Sequence, residues 1–209
     1  MAIVLVRHGE TAGNAQRVLQ HPYTPLSERG LAQAHRVAER LGHHRVAEIA
    51  ASDYARALTT AELIRDACGA PLAIDPELRE RNFGDLRGRA YADLGFDPFA
   101  PGYTPPAGES WEDLHRRVDR MWDRLAARAI GLAGDLVLVT HGLVCHSLVS
   151  RRIDLGGAAY TEGRFANTSV TIVDAAPPWR LQLLGCVAHL DDELARDTRG
   201  RSGLASIGP

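Results

Sequence analysis

The sequence predicts an α/β fold, a three-layer α/β/α sandwich with a mostly parallel central sheet and helices on both faces. Residues 3–6 and 136–139 are continuous apolar runs of Ile, Leu and Val, which are typical of strands buried on both faces of a parallel sheet. Helical and strand patterns then alternate along the chain. This alternation indicates strands that are joined by right-handed helical crossovers.

The elements between these two strands follow from the spacing of apolar side chains. Residues 27–41 predict a helix, because Leu31, Ala34, Ala38 and Leu41 recur at helical intervals. A strand is predicted at residues 46–51 and a second helix at residues 54–67. A third helix begins at Ser110, which forms a capping-box pattern with Asp113. Its apolar stripe is predicted to face the core and consists of Trp111, Leu114, Val118, Met121 and Leu125.

The rest of the chain completes the pattern. Residues 143–151 predict a helix, and residues 168–173 and 181–187 predict two closing strands. We expect a single domain over residues 1–195, since a chain of this length can bury a full core. Residues 97–108 hold four prolines and two glycines, which predicts a surface loop or lid. Residues 196–209 are expected to form a flexible tail.

Composition excludes several kinds of chemistry. All 24 basic residues are arginines, so the chain lacks the lysine that a Walker A loop or a Schiff-base enzyme requires. The formal net charge of −2, without a long basic run, disfavours binding to nucleic acid or to a membrane surface. Arginine remains available as a bidentate ligand for phosphate.

The three cysteines, Cys68, Cys145 and Cys186, have no zinc-ligand or redox-motif spacing. Their odd number, together with an apolar opening that is too short for a secretory leader or a membrane span, predicts reduced thiols and a cytoplasmic protein. We expect no metal and no cofactor, since His43 and His44 and the scattered aspartates also lack ligand spacing. The expected oligomeric state is a monomer or a homodimer.

Both apolar strands end in a histidine that is followed by glycine. His8-Gly9 follows the first strand and His141-Gly142 follows the second. Ligand crevices in open parallel sheets lie outside the carboxyl ends of the strands. If the two strands are neighbours, both histidines therefore face one pocket, and each glycine permits a sharp turn or a close backbone approach.

Cationic and neutral donors accompany these histidines. Arg7 precedes His8 and keeps its imidazole neutral, which leaves a lone pair available. Arg56 lies in the first turn of the second helix, where arginine attracts phosphate. With Asn14 as a neutral donor, these side chains predict a pocket for a dianionic phosphoryl group, whose transfer needs mainly positioning and charge stabilisation.

Five short motifs follow one another along the chain. They are Leu5-Val6-Arg7-His8-Gly9-Glu10-Thr11 with Asn14, residues 52–61 around Arg56, residues 78–88 around Glu80, Gly108-Glu109-Ser110, and Val139-Thr140-His141-Gly142. In this order they resemble the motifs of the histidine phosphatase superfamily, the phosphoglycerate mutase-like enzymes, and the resemblance covers nearly the whole chain.

The resemblance implies a role for each matching position. His8 is the expected nucleophile, which forms a phosphohistidine, and Glu80 is the expected general acid and base. His141 completes the catalytic set. Phosphate-binding residues are expected at Arg7, Asn14, Arg56 and Gly142. Only the family motif, and not spacing, selects Glu80 over its neighbour Glu77.

The sequence departs from the family pattern after Asn14, where residues 20–26 read Gln-His-Pro-Tyr-Thr-Pro-Leu. His21 and Tyr23 in this loop are candidate substrate contacts or simply exposed loop residues. The aromatic residues Phe96, Phe99 and Tyr103 predict tolerance of hydrophobic leaving groups, or merely anchor their loop. The expected partner is a small phosphomonoester.

Four alternatives to a histidine phosphatase remain at this stage. A phosphoglycerate mutase is disfavoured because only 60 residues lie between Glu80 and His141, which resembles the shorter phosphatase branch. Residues 145–151 have the C-x₅-R spacing of cysteine-dependent phosphatases, but Leu148 and Val149 indicate a packed helix rather than a phosphate loop. A non-catalytic phosphate-binding protein and a metal-dependent phosphatase are the other two.

Overall fold

The computed structural model describes residues 1–158, 160 and 165–196. In these residues one sheet has the strand order β3-β2-β4-β1-β5-β6. The strands are β1 (Ala2–Arg7), β2 (Val46–Ala51), β3 (Leu72–Ile74), β4 (Asp135–Thr140), β5 (Val170–Asp174) and β6 (Leu181–Cys186). β1, β2, β3 and β4 pair with one another in parallel, whereas β5 pairs antiparallel with β1 and β6 pairs antiparallel with β5. The predicted α/β fold is confirmed.

Helices cover both faces of the sheet. They are α1 (Ala12–Ala15), α2 (Glu28–Gly42), α3 (Ala55–Cys68), α4 (Trp111–Ile130), α5 (Gly142–Arg151) and α6 (Asp192–Ala195). The hydroxyl of Ser27 accepts a hydrogen bond from Gly30 N at the start of α2, and that of Ser110 accepts one from Asp113 N at the start of α4. Both predicted helix starts are therefore correct, because each serine caps backbone N–H groups that have no partner within the helix.

Two hydrophobic layers explain why the central strands are apolar at residues 3–6 and 136–139. Val4 and Val6 of β1 pack with α2 and α3, whereas Ile3 and Leu5 pack with α4 and α5. Successive side chains of a strand point to opposite faces, so a strand that is covered on both sides needs no polar positions. β4 divides its side chains in the same way, and this places β1 and β4 at the centre of the protein.

The structure corrects details of the sequence-based prediction. Leu31 does not belong to the core, since it is 39% exposed, and Val37 is buried on α2 instead. β3, α1 and α6 were not predicted, because elements of three or four residues carry too little periodicity. Residues 197–209 of the predicted tail lie outside the described residues. No described helix has the length and apolar character needed to cross a bilayer.

Residues 97–108 form a loop that is fixed to the segment after Glu80. The buried Arg81 donates hydrogen bonds to the carbonyl oxygens of Pro98 and Tyr103 within this loop, at 3.3 and 2.5 Å. Its guanidinium lies 4.4 Å from the ring centre of Trp111, whose indole N–H donates to Ala100 O. Phe99 packs edge-on against Phe83, so this aromatic residue anchors the loop. Whether the loop also acts as a lid stays a prediction.

Candidate active site

The two strand-end histidines meet at the carboxyl edge of the sheet. β1 and β4 are parallel neighbours, and Arg7 lies opposite Thr140 in their register. His8 and His141 follow directly, and their ring centres are 5.0 Å apart. Gly9 permits the first turn of α2 to lie close to the site, because a Cβ there would lie 2.4 Å from the carbonyl oxygen of Gly30. The predicted juxtaposition of the two imidazoles is confirmed.

The hydrogen bonds of His8 determine which ring nitrogen carries the proton. Arg56 Nε lies 3.2 Å from His8 Nε2, and a guanidinium can only donate, so Nε2 is the acceptor. His8 Nδ1 lies 2.7 Å from the carbonyl oxygen of Gly9, which can only accept. The proton is therefore on Nδ1, and a lone pair on Nε2 faces Arg56.

Burial is the main cause that lowers the pKa of His8 well below its ordinary value, and the positive charges of Arg56 and Arg7 lower it further. The imidazole consequently stays neutral around neutral pH. A neutral ring with an available Nε2 lone pair has the electronic state of a nucleophile.

Arg56 is the second residue of α3 and supplies a cation directly at His8 Nε2. Burial lowers its pKa to about 10, which still leaves the guanidinium charged near neutral pH. Its Nη1 donates to the carbonyl oxygen of His21 at 3.1 Å, and its Cζ lies 5.2 Å from the ring centre of Tyr54. These contacts hold the guanidinium against the imidazole.

Arg7, the last residue of β1, donates a hydrogen bond to the carbonyl oxygen of Phe165. Gly142 begins α5 beside it, where a Cβ would lie 3.7 Å from Arg7 Nε and 4.0 Å from Glu80 Oε2. Two arginines and the first turn of α5 therefore converge on the histidine pair. Such an arrangement suits a dianion, since guanidinium groups and the N–H groups of a helix start both favour negative charge.

His141 is fully buried and makes one side-chain hydrogen bond, between Nε2 and Ser52 Oγ at 2.9 Å. Its other ring nitrogen, Nδ1, has no hydrogen-bond partner within the described part of the chain. Burial, followed by the charge of Arg56, lowers the pKa of His141 well below its ordinary value. The second imidazole is therefore neutral as well.

Glu80 lies in the segment between β3 and α4 and is held by the backbone at both oxygens. Oε1 accepts from Arg81 N at 3.0 Å, and Oε2 accepts from Leu143 N at 3.3 Å. Burial raises the pKa of Glu80 above its ordinary value despite these bonds. By contrast, Glu77 pairs with Arg120 and Arg124 at the surface. The structure thus brings Glu80, and not Glu77, beside Arg7 and the start of α5.

Asn14 lies on α1, and its amide oxygen is occupied. Oδ1 accepts from Thr11 N and from Asn167 Nδ2, both at 3.2 Å. The amide NH₂ is then the end that can donate to an anion. Asn167 also donates to the carbonyl oxygen of His8 at 3.0 Å, which links the β5 side of the sheet to the site. Sequence analysis missed Asn167, because nothing local marks a residue that is 159 positions away from its partner.

The loop after Asn14 touches the site through its backbone. The carbonyl oxygen of His21 binds Arg56, while the imidazole of His21 stacks on Tyr23 with ring centres 5.0 Å apart. Tyr23 is 73% exposed. A substrate contact of either side chain stays a prediction.

Among the described residues, neither a cysteine-dependent nor a metal-dependent phosphatase has a matching arrangement of side chains. Cys145 is buried within α5, and burial raises the pKa of its thiol to about 12, which disfavours a cysteine nucleophile. Residues 142–151 form a helix rather than a phosphate-wrapping loop, as their apolar pattern predicted. Within the described ranges, no group of three or more His, Cys, Asp or Glu side chains could hold a metal ion.

Comparisons with known proteins identify the family of this chain. The family model described as "Histidine phosphatase superfamily (branch 1)" matches residues 3–184. "Probable phosphoglycerate mutase GpmB" of Yersinia pestis (strain Pestoides F) is 35% identical, over 94% of this chain and 100% of that protein.

Solved structures agree with the family match. "Bacillus stearothermophilus YhfR" has a TM-score of 0.79 and 29% identity, over 91% of this chain and 99% of that one. A mycobacterial glucosyl-3-phosphoglycerate phosphatase in complex with VO3 has a TM-score of 0.75 and 28% identity, over 87% of this chain and 97% of that one. The match to the family model spans most of the sequence and includes all five motifs on which the resemblance was based. The chain therefore belongs to the histidine phosphatase superfamily.

Proposed function

We propose that this protein is a phosphomonoester hydrolase that acts through a phosphohistidine on His8. The observation that carries the proposal is the neutral imidazole of His8, whose Nε2 lone pair lies against Arg56, beside Arg7, His141 and Glu80. A site that only bound phosphate would need the arginines. It would not need a neutral imidazole whose lone pair faces an arginine.

In the first step, the phosphoryl group takes over the Arg56 N–H that Nε2 accepts in the free protein. The Nε2 lone pair then attacks phosphorus, and the bond between phosphorus and the ester oxygen breaks. Protonated Glu80 gives its proton to the leaving alkoxide, which its raised pKa favours. Arg7, Arg56, Asn14 and His141 stabilise the charge on the phosphoryl oxygens, and the carbonyl oxygen of Gly9 holds the Nδ1 proton.

In the second step, the Glu80 carboxylate takes a proton from water, and the water oxygen attacks phosphorus. The bond between phosphorus and Nε2 breaks, which releases inorganic phosphate and restores neutral His8 and protonated Glu80. The backbone N–H groups of Arg81 and Leu143 keep the carboxylate in place between its two tasks. No step of this sequence uses a metal.

A panel of phosphomonoesters tests the proposal. Release of inorganic phosphate is measured from sugar phosphates, phosphoglycerates, nucleotides and aryl phosphates, with and without a chelator. We expect release that His8→Asn abolishes and that the chelator leaves unchanged. Release by His8→Asn at the rate of the unmodified protein would contradict the histidine mechanism.

Phosphoglycerate mutase activity is the second candidate, because the curated relative described above carries that name. A mutase must keep the phosphohistidine from water, and the short stretch between Glu80 and His141 offers little chain to enclose it. The assay supplies 3-phosphoglycerate with catalytic 2,3-bisphosphoglycerate. Efficient formation of 2-phosphoglycerate without release of phosphate would favour the mutase over the hydrolase.

A further inference from the structure

Ser52 is a fully buried serine at the end of β2, and neither its sequence context nor the proposed mechanism gives it a role. Its Oγ lies 2.9 Å from Nε2 of His141 and accepts a hydrogen bond from Tyr54 N at 3.2 Å. Its backbone N–H donates to the carbonyl oxygen of Val139 on β4. The side chain is thus fixed by the sheet directly beneath the second histidine.

The hydroxyl proton of Ser52 has a single acceptor among the residues that the structure describes. A buried donor that is left without an acceptor costs free energy, so we expect the hydroxyl proton to be donated. Tyr54 N is a donor, so it cannot take that proton, and the remaining contact of Oγ is His141 Nε2. Nε2 must then be the acceptor, and the ring proton of neutral His141 lies on Nδ1.

Nδ1 of His141 is the ring nitrogen that is buried without a partner in the described chain. A buried N–H group without a partner costs free energy, and a role in binding a reacting group is one explanation for such a site in a folded protein. The ring of His141 lies 5.0 Å from that of His8, within the site that we propose for the phosphoryl group.

We propose that Ser52 is a positioning residue, which holds the proton of His141 on Nδ1 so that this imidazole donates a hydrogen bond to the phosphoryl oxygens. The inference rests on the proposed function, and it extends that function to a residue that does not touch the substrate. Without Ser52 the ring can place its proton on either nitrogen. Only one of the two forms donates from Nδ1.

Nitrogen NMR on the whole protein tests the tautomer without any assay of activity. The ring nitrogens of His141 are assigned by their loss in His141→Asn, and the spectra are recorded at neutral pH. We expect a protonated Nδ1 and an unprotonated Nε2 in the unmodified protein, and a loss of this preference in Ser52→Ala. A proton on Nε2 in the unmodified protein would overturn the inference.

Kinetics test the consequence for the reaction. We expect Ser52→Ala to lower kcat/KM about tenfold, with most of the loss in kcat, as for the removal of one buried hydrogen bond. Inhibition by vanadate, which imitates the transition state, should weaken by a similar factor. Ser52→Thr keeps the hydroxyl and should restore most of the activity. An unchanged kcat and vanadate affinity in Ser52→Ala would overturn the inference.

Ser147 provides a matched control. It is also a buried serine that contacts a histidine, with its Oγ 2.8 Å from Nδ1 of His115, outside the candidate site. Ser147→Ala should keep the kinetics of the unmodified protein, and a loss equal to that of Ser52→Ala would reduce the effect to general packing. If the unmodified protein releases no phosphate from any ester, the proposed function fails, whereas the NMR result still decides the tautomer.

Discussion

The ends of β1 and β4 have the same sequence pattern, an apolar strand followed by histidine and glycine, yet they present opposite edges of the imidazole. At the end of β1, the Nδ1 proton of His8 is bound by Gly9 O, and the Nε2 lone pair is turned towards Arg56. At the end of β4, Nε2 of His141 is bound by Ser52, and Nδ1 lacks a partner in the described chain. The two strand ends thus share a sequence motif, but Arg56 beside His8 and Ser52 beside His141 give the two imidazoles different roles. His8 offers a lone pair and His141 offers a proton.

Substitution of His8 is expected to have the largest effect on activity, and comparison with the same substitution of His141 tests whether the two imidazoles have different roles. His8→Asn should reduce turnover to background, because the bond to phosphorus can no longer form. His141→Asn removes one donor to the transition state, and we expect a loss of about 10²–10³-fold in kcat. Steady-state rates of the two variants on one aryl phosphate measure the difference. Equal losses of kcat in both variants would contradict the assignment of His8 as nucleophile and His141 as hydrogen-bond donor.

Glu80→Gln tests the group that lies beside both strand ends. We expect a loss of about 10²–10⁴-fold on an alkyl phosphate, whose leaving oxygen needs a proton. The rate of the first step should fall much less on p-nitrophenyl phosphate, since p-nitrophenolate leaves as an anion and needs no proton. Pre-steady-state rates of p-nitrophenol release provide this comparison.

The raised pKa of Glu80 also sets a sign for the pH dependence. The first step needs the protonated acid, so kcat/KM for an alkyl phosphate should fall as pH rises through that raised pKa. Glu80→Gln should lack this descending limb. A variant profile that superimposes on that of the unmodified protein after scaling would contradict the assignment.

The next smaller effect is expected on the stability of the fold at acid pH, to which His8 and His141 contribute. Because the folded-state pKa values of His8 and His141 lie below 6.5, the unfolded chain binds protons that the folded chain does not as pH falls below that value. The unfolding free energy should then decrease by up to about 1.4 kcal/mol per pH unit for each histidine. Urea unfolding of His141→Asn between pH 6.5 and 5 should show a shallower slope. An equal slope would indicate that His141 is already charged when folded.

The smallest effect is expected at Cys145, which lies four residues after His141 but is buried inside α5. Cys145→Ser should keep kcat within about threefold, because its thiol stays protonated and contributes no nucleophile. Loss of activity in Cys145→Ser, together with a folded and active His8→Asn, would instead support Cys145 as the nucleophile.

Much of this fold and site could be predicted from the sequence, because the signals are local. The apolar runs of β1 and β4 identify doubly covered strands, and their order in the sheet brings His8 and His141 together. Glu80 needed the family motif, since its environment is made by α5, far along the chain.

The residues that sequence analysis missed act over long distances or through the backbone. Ser52 lies 89 positions from His141, and Asn167 lies 159 positions from His8, so no local pattern links either pair. The contact between the carbonyl oxygen of His21 and Arg56 has no signal in the sequence, because any residue type can supply a backbone carbonyl. A substrate contact of the His21 side chain stays a prediction. Arg81 has no role among the predictions from the sequence, although it fixes the loop at residues 97–108.

Trapping of the covalent intermediate tests the central claim most directly. The protein is mixed with ³²P-labelled p-nitrophenyl phosphate, whose leaving group needs no proton from Glu80, and is quenched in alkaline denaturant, which preserves phosphohistidine. The labelled peptide is then identified. We predict label on His8 in the unmodified protein, more label in Glu80→Gln because the hydrolytic step is slowed, and none in His8→Asn. Phosphate release without any label on His8, in both the unmodified protein and Glu80→Gln, would contradict the account.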